Sequence, residues 1–173
     1  MIAGTNKAKA RAFLNTFFAT QDTKPTADDE EAIEEYPEPA FKFQNITDEQ
    51  IHRAIRRTSP HKAPGANVIP NVVLKKCTNQ LVSIIGPIFR ATFKLNVYPA
   101  AWKNSITLVI RKPACASYSE PGSFHPIALL DTIRKILLAC VAEDLTKLAE
   151  THNLLPPNHF GCRPGHTTTD AIH

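Results

Sequence analysis

The sequence predicts a helix-rich α+β fold with a small antiparallel sheet, and three observations support this class. Most apolar residues recur at three- and four-residue steps, the period of helices with one buried face. Only two short segments, residues 105–110 and 124–130, have the composition of strands. The 173 residues include 14 prolines and 6 glycines, and because proline fixes the backbone angle φ, we expect many sharply ended elements.

The composition is that of a folded domain, with 43% hydrophobic and 21% charged residues. No apolar run approaches the roughly 20 residues that span a bilayer, and the first residues lack the apolar core of a signal peptide. We therefore expect an intracellular protein with no membrane partner. The four cysteines, which are widely spaced, predict free thiols rather than a disulfide framework. The sequence does not indicate an oligomeric state.

Charge divides the chain unevenly. Residues 1–50 carry a net charge of −5 and residues 51–173 a net charge of +9. With the periodicity, this predicts a helical leader (1–20), an acidic proline-containing linker (21–45) and a basic domain (46–173). A basic domain favours a polyanionic partner, because neutralising phosphates releases counterions. A positive excess of this size is also common in proteins without such a partner.

The first confident element of the basic domain is a helix that begins after Thr47. Thr47 and Gln50 have the spacing of a capping box, in which each side chain bonds the other's backbone N–H. Ile46 can pack against Ile51 on the first turn, as in a hydrophobic staple.

Three arginines repeat along a second face of this helix. Arg53, Arg56 and Arg57 follow one another without an acid between them. Such a row is usually a solvated face, but it can also follow a phosphate backbone.

The remaining elements follow from caps and breakers. Pro70 suits the start of a short helix, residues 81–96 form an apolar helix bent near Pro87, and the two strand segments read as a hairpin with a polar tip. Asp131 can cap a long helix to about residue 150, and a last helix begins near Thr167. The residues expected to face inward on the helix over 81–96 are Ile84, Ile85, Ile88, Phe89 and Phe93. Those expected on the helix after Asp131 are Ile133, Ile136, Leu137, Cys140, Val141, Leu145 and Leu148.

No catalytic residue can be nominated from local motifs, since paired carboxylates, a nucleophile elbow and phosphate-binding loops are not recognisable. His159, Cys162 and His166 have a spacing that could supply three zinc ligands. A fourth ligand at proper spacing is lacking, and the neighbouring Gly161 and Pro164 are typical turn residues. Zinc is therefore only an alternative interpretation.

Six short phrases give a more specific indication than any single residue. They are HKAPG (61–65), VIP (68–70), YP with WK (98–99 and 102–103), IRKP (110–113), SFHPIALL (123–130) and FGCRPGHTTTDA (160–171). Their succession resembles the amino-terminal part of the reverse transcriptase domain of non-LTR (LINE-like) retrotransposons, from about residue 46 onward. The resemblance implies the fingers and the start of the palm of a right-hand polymerase.

The resemblance also implies a nucleotide-binding hairpin. Lys112, with Arg111 beside it, matches the family's lysine, and His125 stands where the family has an arginine. Cations on facing strands can clamp the triphosphate of an incoming dNTP and stabilise charge during phosphoryl transfer. An imidazole is mostly uncharged at pH 7 and lacks the forked donors of a guanidinium, so His125 weakens this grip.

For the RNA template and DNA primer, the basic candidates implied by the resemblance and the charge pattern are Arg53, Arg56, Arg57, Lys62 and Arg163. A structural role for Arg163, binding loop carbonyls, is an equally good interpretation. Other motif positions depart from the family: Ala66-Asn67-Val68-Ile69 replaces Pro-Asp-Gly-Ile, and Cys162 and His166 replace a glycine and an arginine. Losing a glycine from a tight turn demands another backbone conformation or strain.

Polymerases of this family hold two Mg²⁺ ions on palm aspartates, in motifs that follow the Thr-Thr-Asp-Ala helix. We expect neither motif within these 173 residues, since Asp170 matches the helix position and not a metal ligand. The sequence thus predicts a reverse transcriptase fragment, nuclear or cytoplasmic, that is inactive alone and holds no cofactor of its own, with Mg²⁺ implied for the full polymerase. The alternatives are a non-catalytic nucleic-acid-binding or interaction module, with or without zinc, and a functionless relic.

Overall fold

A computed structural model describes residues 5–18, 41, 43–167 and 169–172. Its helices are α1 (Asn6–Phe17), α2 (Asp48–Arg57), α3 (Asn71–Lys76), α4 (Thr78–Lys94) and α5 (Thr132–Thr151), and its strands are β1 (Ile106–Arg111) and β2 (Phe124–Leu129). Short 3-10 turns span Ala100–Lys103 and Pro121–Ser123. The two strands form one antiparallel sheet. The predicted helix-rich α+β class is confirmed at this level.

These elements belong to two compact units, of which the first holds α1 and the sheet and the second holds α2 to α5. Most of the predicted acidic linker lies outside the described residues. No helix within the described part of the chain is long and apolar enough to cross a membrane.

The core of the second unit lies between α2, α4 and α5. Its buried apolar residues are Ile46, Ile51, Ala54, Ile55, Leu74, Val82, Ile85, Phe89, Ile136, Leu137 and Cys140. The predicted capping box opens α2: the Thr47 hydroxyl accepts from the Gln50 N–H at 3.2 Å, and the Gln50 side chain accepts from the Thr47 N–H at 2.8 Å. Gln50 also donates to Asp144 at 2.5 Å, which joins α2 to α5.

The predicted inward face of α4 is only partly correct. Ile85 and Phe89 are buried, whereas Ile84, Ile88 and Phe93 are exposed. Because α4 is apolar around much of its circumference and α2 packs on one side of it, a single stripe is covered. That stripe runs through Gly86, where an added Cβ would lie 2.7 Å from the Asp48 carboxylate. Pro87 lies inside the helix, as predicted.

The prediction that the Asp131 side chain caps α5 is wrong. Asp131 occupies the N-cap position of α5, but its side chain makes no capping hydrogen bond. Its Oδ1 instead accepts from the Asn67 N–H at 3.0 Å. The loop that contains Gly65 packs so closely that an added Cβ there would lie 2.5 Å from the Asp131 nitrogen. The carboxylate therefore holds this loop, which a local pattern cannot reveal.

Two further expectations at the end of the chain are corrected. Leu145 on α5 is exposed rather than buried. The residues at 167 and 169–172 form no helix, although Thr167 and Asp170 make the reciprocal hydrogen bonds of a capping box. The hydrogen bonds that the Asp170 carboxylate accepts from the Thr167 N–H and hydroxyl lower the pKa of Asp170.

In the first unit, α1 lies within the stretch predicted as a helical leader. The Thr5 hydroxyl caps it by accepting from the Ala8 N–H at 3.2 Å. Phe13 on α1 contacts Phe124 on β2 edge to face, with ring centroids 4.9 Å apart. This contact places α1 beside the end of the hairpin.

Candidate functional site

The hairpin brings two predicted nucleotide contacts to one face. In the β1–β2 register Ile110 lies opposite His125 and Arg111 opposite Phe124. The ladder continues to Lys112, whose N–H donates to the Ser123 carbonyl at 2.9 Å. Opposite residues share a face and successive residues alternate, so Lys112 and His125 are diagonal neighbours on the same face.

The rest of this face is apolar and open. Ile106, Leu108, Ile110 and Ile127 lie on it and are all exposed. The ion pairs within the described part of the chain involve other cations and leave Lys112 without a carboxylate. A lysine beside apolar surface, without an acid to neutralise it, is suited to an anionic ligand.

Arg111, the third predicted nucleotide contact, lies on the opposite face. Its guanidinium carbon is 4.9 Å from the centroid of the Tyr118 ring, which is a cation–π contact. The Tyr118 hydroxyl donates to the Lys112 carbonyl at 2.7 Å. Because successive side chains of a strand point to opposite faces, Arg111 is separated from Lys112 and His125.

The three arginines of α2 are paired with acids. Arg53 and Arg57 contact Glu143 of α5 at 2.6 and 3.2 Å, and Arg56 contacts Glu49 at 3.1 Å. The hydrogen bond that Arg53 donates to Glu143 raises the pKa of Arg53 above its ordinary value. Glu143 lies about 90 residues away in the chain. The local sequence around the arginines therefore does not indicate that they pair with it.

Arg163 is held by the end of α5 and by its own loop. Its Nε and one terminal nitrogen donate to the two Glu150 oxygens at 2.9 and 2.8 Å, and its other nitrogen donates to the carbonyls of His159 and Pro156. This bidentate bond lowers the pKa of Glu150. Only 14% of the Arg163 side chain is exposed. These are the contacts of the structural interpretation, in which the arginine binds loop carbonyls.

Lys62 differs from the arginines. It lies exposed in the loop before Gly65 and takes part in no ion pair among the residues that the structure describes.

The zinc alternative finds no support in the geometry. Across residues 5–18, 41, 43–167 and 169–172, no three His, Cys, Asp or Glu side chains are placed to hold a metal ion. The ring of His166 instead contacts Phe160, with centroids 5.6 Å apart.

No family model matches the sequence, but individual proteins do. The probable RNA-directed DNA polymerase from transposon X-element of Drosophila melanogaster is 35% identical over 124 residues, which are 72% of this chain and 14% of that protein. The probable RNA-directed DNA polymerase from transposon BS of the same species is 26% identical over 99% of this chain and 20% of its own length. The chain is homologous to the RNA-directed DNA polymerases of non-LTR retrotransposons. It spans a fifth or less of the length of these two relatives.

Two departures from the polymerase phrases have a structural counterpart. Val68 and Cys162 stand where the resemblance implies glycine, and their φ angles are +57° and +58°. Only glycine adopts this left-handed region without steric cost. Both positions therefore take a conformation that favours glycine, although a bulkier residue stands there.

Sequence patterns missed Tyr118 and Asp131 as organising residues of these loops. The sequence indicates only a polar loop around Tyr118. The hydrogen bond from its hydroxyl to the Lys112 carbonyl spans six residues that contain no recognisable motif. The contact between Asp131 and Asn67 spans 64 residues. No motif in the sequence links these two positions, so the contact could only come from the fold.

Proposed function

We propose that residues 46–173 form the fingers and the start of the palm of a non-LTR retrotransposon RNA-directed DNA polymerase, with an RNA template, a DNA primer and a dNTP as partners. The homology to the X-element and BS polymerases supports the enzyme class. The observation that carries the proposal is the register of the hairpin, in which Lys112 and His125 share one open face.

On this face Lys112 contacts the triphosphate of the incoming nucleotide. Its ammonium has no carboxylate among the described residues, so binding a phosphate breaks no existing ion pair. His125 contributes a hydrogen bond in place of the family's guanidinium, which gives a weaker grip on a polyanion.

The nucleic-acid contacts begin with Lys62. Arg53, Arg57 and Arg163 bind template or primer phosphates only by giving up part of their bonds to Glu143 or Glu150. Arg56 pairs with Glu49, an acid that is 64% exposed, whereas the Glu143 partner of Arg57 is only 27% exposed, so the Arg56 ion pair is the more easily given up. We therefore rank Lys62 and Arg56 above the other three.

The described residues do not fit a magnesium centre of their own, because no cluster of three acidic, histidine or cysteine side chains is formed among them. We assign this stretch to binding and positioning. In primer extension with Mg²⁺ and dNTPs, the 173-residue polypeptide should give no incorporation above background. Clear incorporation would contradict the assignment.

Titration with a fluorescent dATP tests the nucleotide face. Lys112→Gln should weaken binding about tenfold or more, because a charge-assisted bond to phosphate is lost. His125→Arg should tighten binding, whereas His125→Gln should change it little. Lys147→Gln, an exposed lysine of α5, is the matched control. Equal affinity of Lys112→Gln and the unchanged chain would refute the proposed face.

A further inference from the structure

The side of the hairpin that carries Arg111 lines a pocket of about 650 Å³, within the size range of small-molecule sites. It lies between α1, the ends of the two strands and the loop that joins them. The residues that matter are Lys9, Phe13, Arg111, Tyr118, Glu120 and Phe124. Arg111 and Phe124 lie on the opposite face from Lys112 and His125, so this pocket is distinct from the nucleotide face proposed above.

Three aromatic rings form one side of the pocket. Phe124 contacts Phe13 at 4.9 Å and Tyr118 at 5.8 Å between centroids, both edge to face. Tyr118 is partly exposed, and its hydroxyl is fixed by the bond to the Lys112 carbonyl. A ring that is open to solvent and already oriented can stack on a planar ligand with little loss of entropy.

The charged groups of the pocket favour an anion. The lining contains two cations, Lys9 and Arg111, and one carboxylate, Glu120. Neither cation takes part in an ion pair among the described residues. Arg111 already lies over the Tyr118 ring at 4.9 Å. The guanidinium can thus bind an oxyanion while the ring beneath it holds a flat group.

We propose that this pocket binds a nucleotide unit, with its base stacked on Tyr118 and its phosphate held by Arg111 and Lys9. Aromatic rings and basic side chains in one groove are the combination that binds single-stranded nucleic acids. The same chemistry is present in a free mononucleotide and in one residue of a strand. The pocket recognises a base and one phosphate, unlike the Lys112 face, which meets a triphosphate.

Fluorescence anisotropy with a labelled 12-residue oligouridylate tests this pocket in the whole chain. Tyr118→Leu should weaken binding roughly five- to a hundredfold, because base stacking is lost. Tyr118→Phe keeps the ring and should bind within about twofold of the unchanged chain. Arg111→Gln should lower the slope of log affinity against log salt by about one. Lys147→Gln, on α5, should leave the binding of the oligouridylate unchanged.

Competition identifies the source of the nucleotide. Displacement by uridine monophosphate assigns a free nucleotide, and displacement only by unlabelled strand assigns a single-stranded nucleic acid; both support the pocket. Displacement by tripolyphosphate as effective as that by the strand overturns the proposal, since charge alone would then be recognised.

NMR of the unmutated chain keeps the test independent of variant folding. Addition of the oligouridylate should shift the amide signals of residues 9–13 and 117–120. Unchanged signals there, or equal affinity of Tyr118→Leu and Tyr118→Phe, would overturn the pocket. The effect of Lys112→Gln on dATP binding is measured separately and does not depend on this pocket. Failure of the pocket can therefore be distinguished from failure of the proposed nucleotide face.

Discussion

Val68 has a φ of +57° and is 73% exposed. For a β-branched residue this left-handed conformation is costly, by roughly 1–2 kcal/mol. Glycine would remove the strain but would gain entropy in the unfolded chain. Val68→Gly should therefore raise the free energy of unfolding by about 0.5–1 kcal/mol in urea titrations.

Val97 supplies the matched control for this substitution. It is also exposed, and its φ is not positive. Val97→Gly should lower the free energy of unfolding by about 0.5–1 kcal/mol. If both substitutions destabilise equally, the conformation of Val68 is not strained.

Cys140 gives the second prediction at this scale. Burial, with the nearby charges of Glu143 and Asp144, raises the pKa of its thiol from 9.0 to about 11. Since the folded chain holds the proton more tightly, this stabilisation is complete below pH 9 and is lost as the pH rises to 11. The free energy of unfolding should fall by roughly 1.4 kcal/mol per pH unit in that window.

Cys140→Ala isolates the thiol from the other groups that titrate at alkaline pH. It should lower stability below pH 9 by leaving a cavity. Its difference from the unchanged chain should shrink between pH 9 and 11. A constant difference across that range would exclude the proposed burial effect.

At the scale of elements, the contact between the Gly65 loop and α5 is the most sensitive to a single methyl group. An added Cβ at position 65 would lie 2.5 Å from the Asp131 nitrogen and the Leu130 carbonyl carbon, both backbone atoms. Gly65→Ala should thus destabilise the chain by about 2 kcal/mol or more. Gly161→Ala meets nothing within 4 Å and should change the melting temperature little. Equal effects of the two substitutions would contradict this packing.

How well each element was predicted depended on how local its determinants are. The capping box of α2 and the two strands are set by neighbouring residues, so the sequence predicted them. The covered face of α4, the loop contact of Asp131 and the acid partners of the arginines depend on distant elements. The row of arginines on α2 identified Arg53, and the phrase FGCRPGHTTTDA identified Arg163. Their partners, Glu143 and Glu150, could be identified only from the folded structure.

At the scale of the molecule, the two units carry different parts of the proposed function. The first contains the nucleotide face with Lys112 and His125, and the second contains Lys62 and the paired arginines. Ordered phrases predicted the polymerase family, and the homology of 72% to 99% of the chain to the X-element and BS proteins confirms it. The phrases could not show that Arg111 faces away from Lys112, because side-chain alternation depends on the register of the hairpin.

An NMR titration of the full chain with dATP tests the nucleotide face most directly, with deoxyadenosine as the control that lacks phosphate. The signals of Ile110, Lys112 and the His125 imidazole should shift with dATP and stay unchanged with deoxyadenosine. Equal shifts with both ligands, or shifts that leave Lys112 and His125 unaffected, would contradict the assignment of this face to the triphosphate.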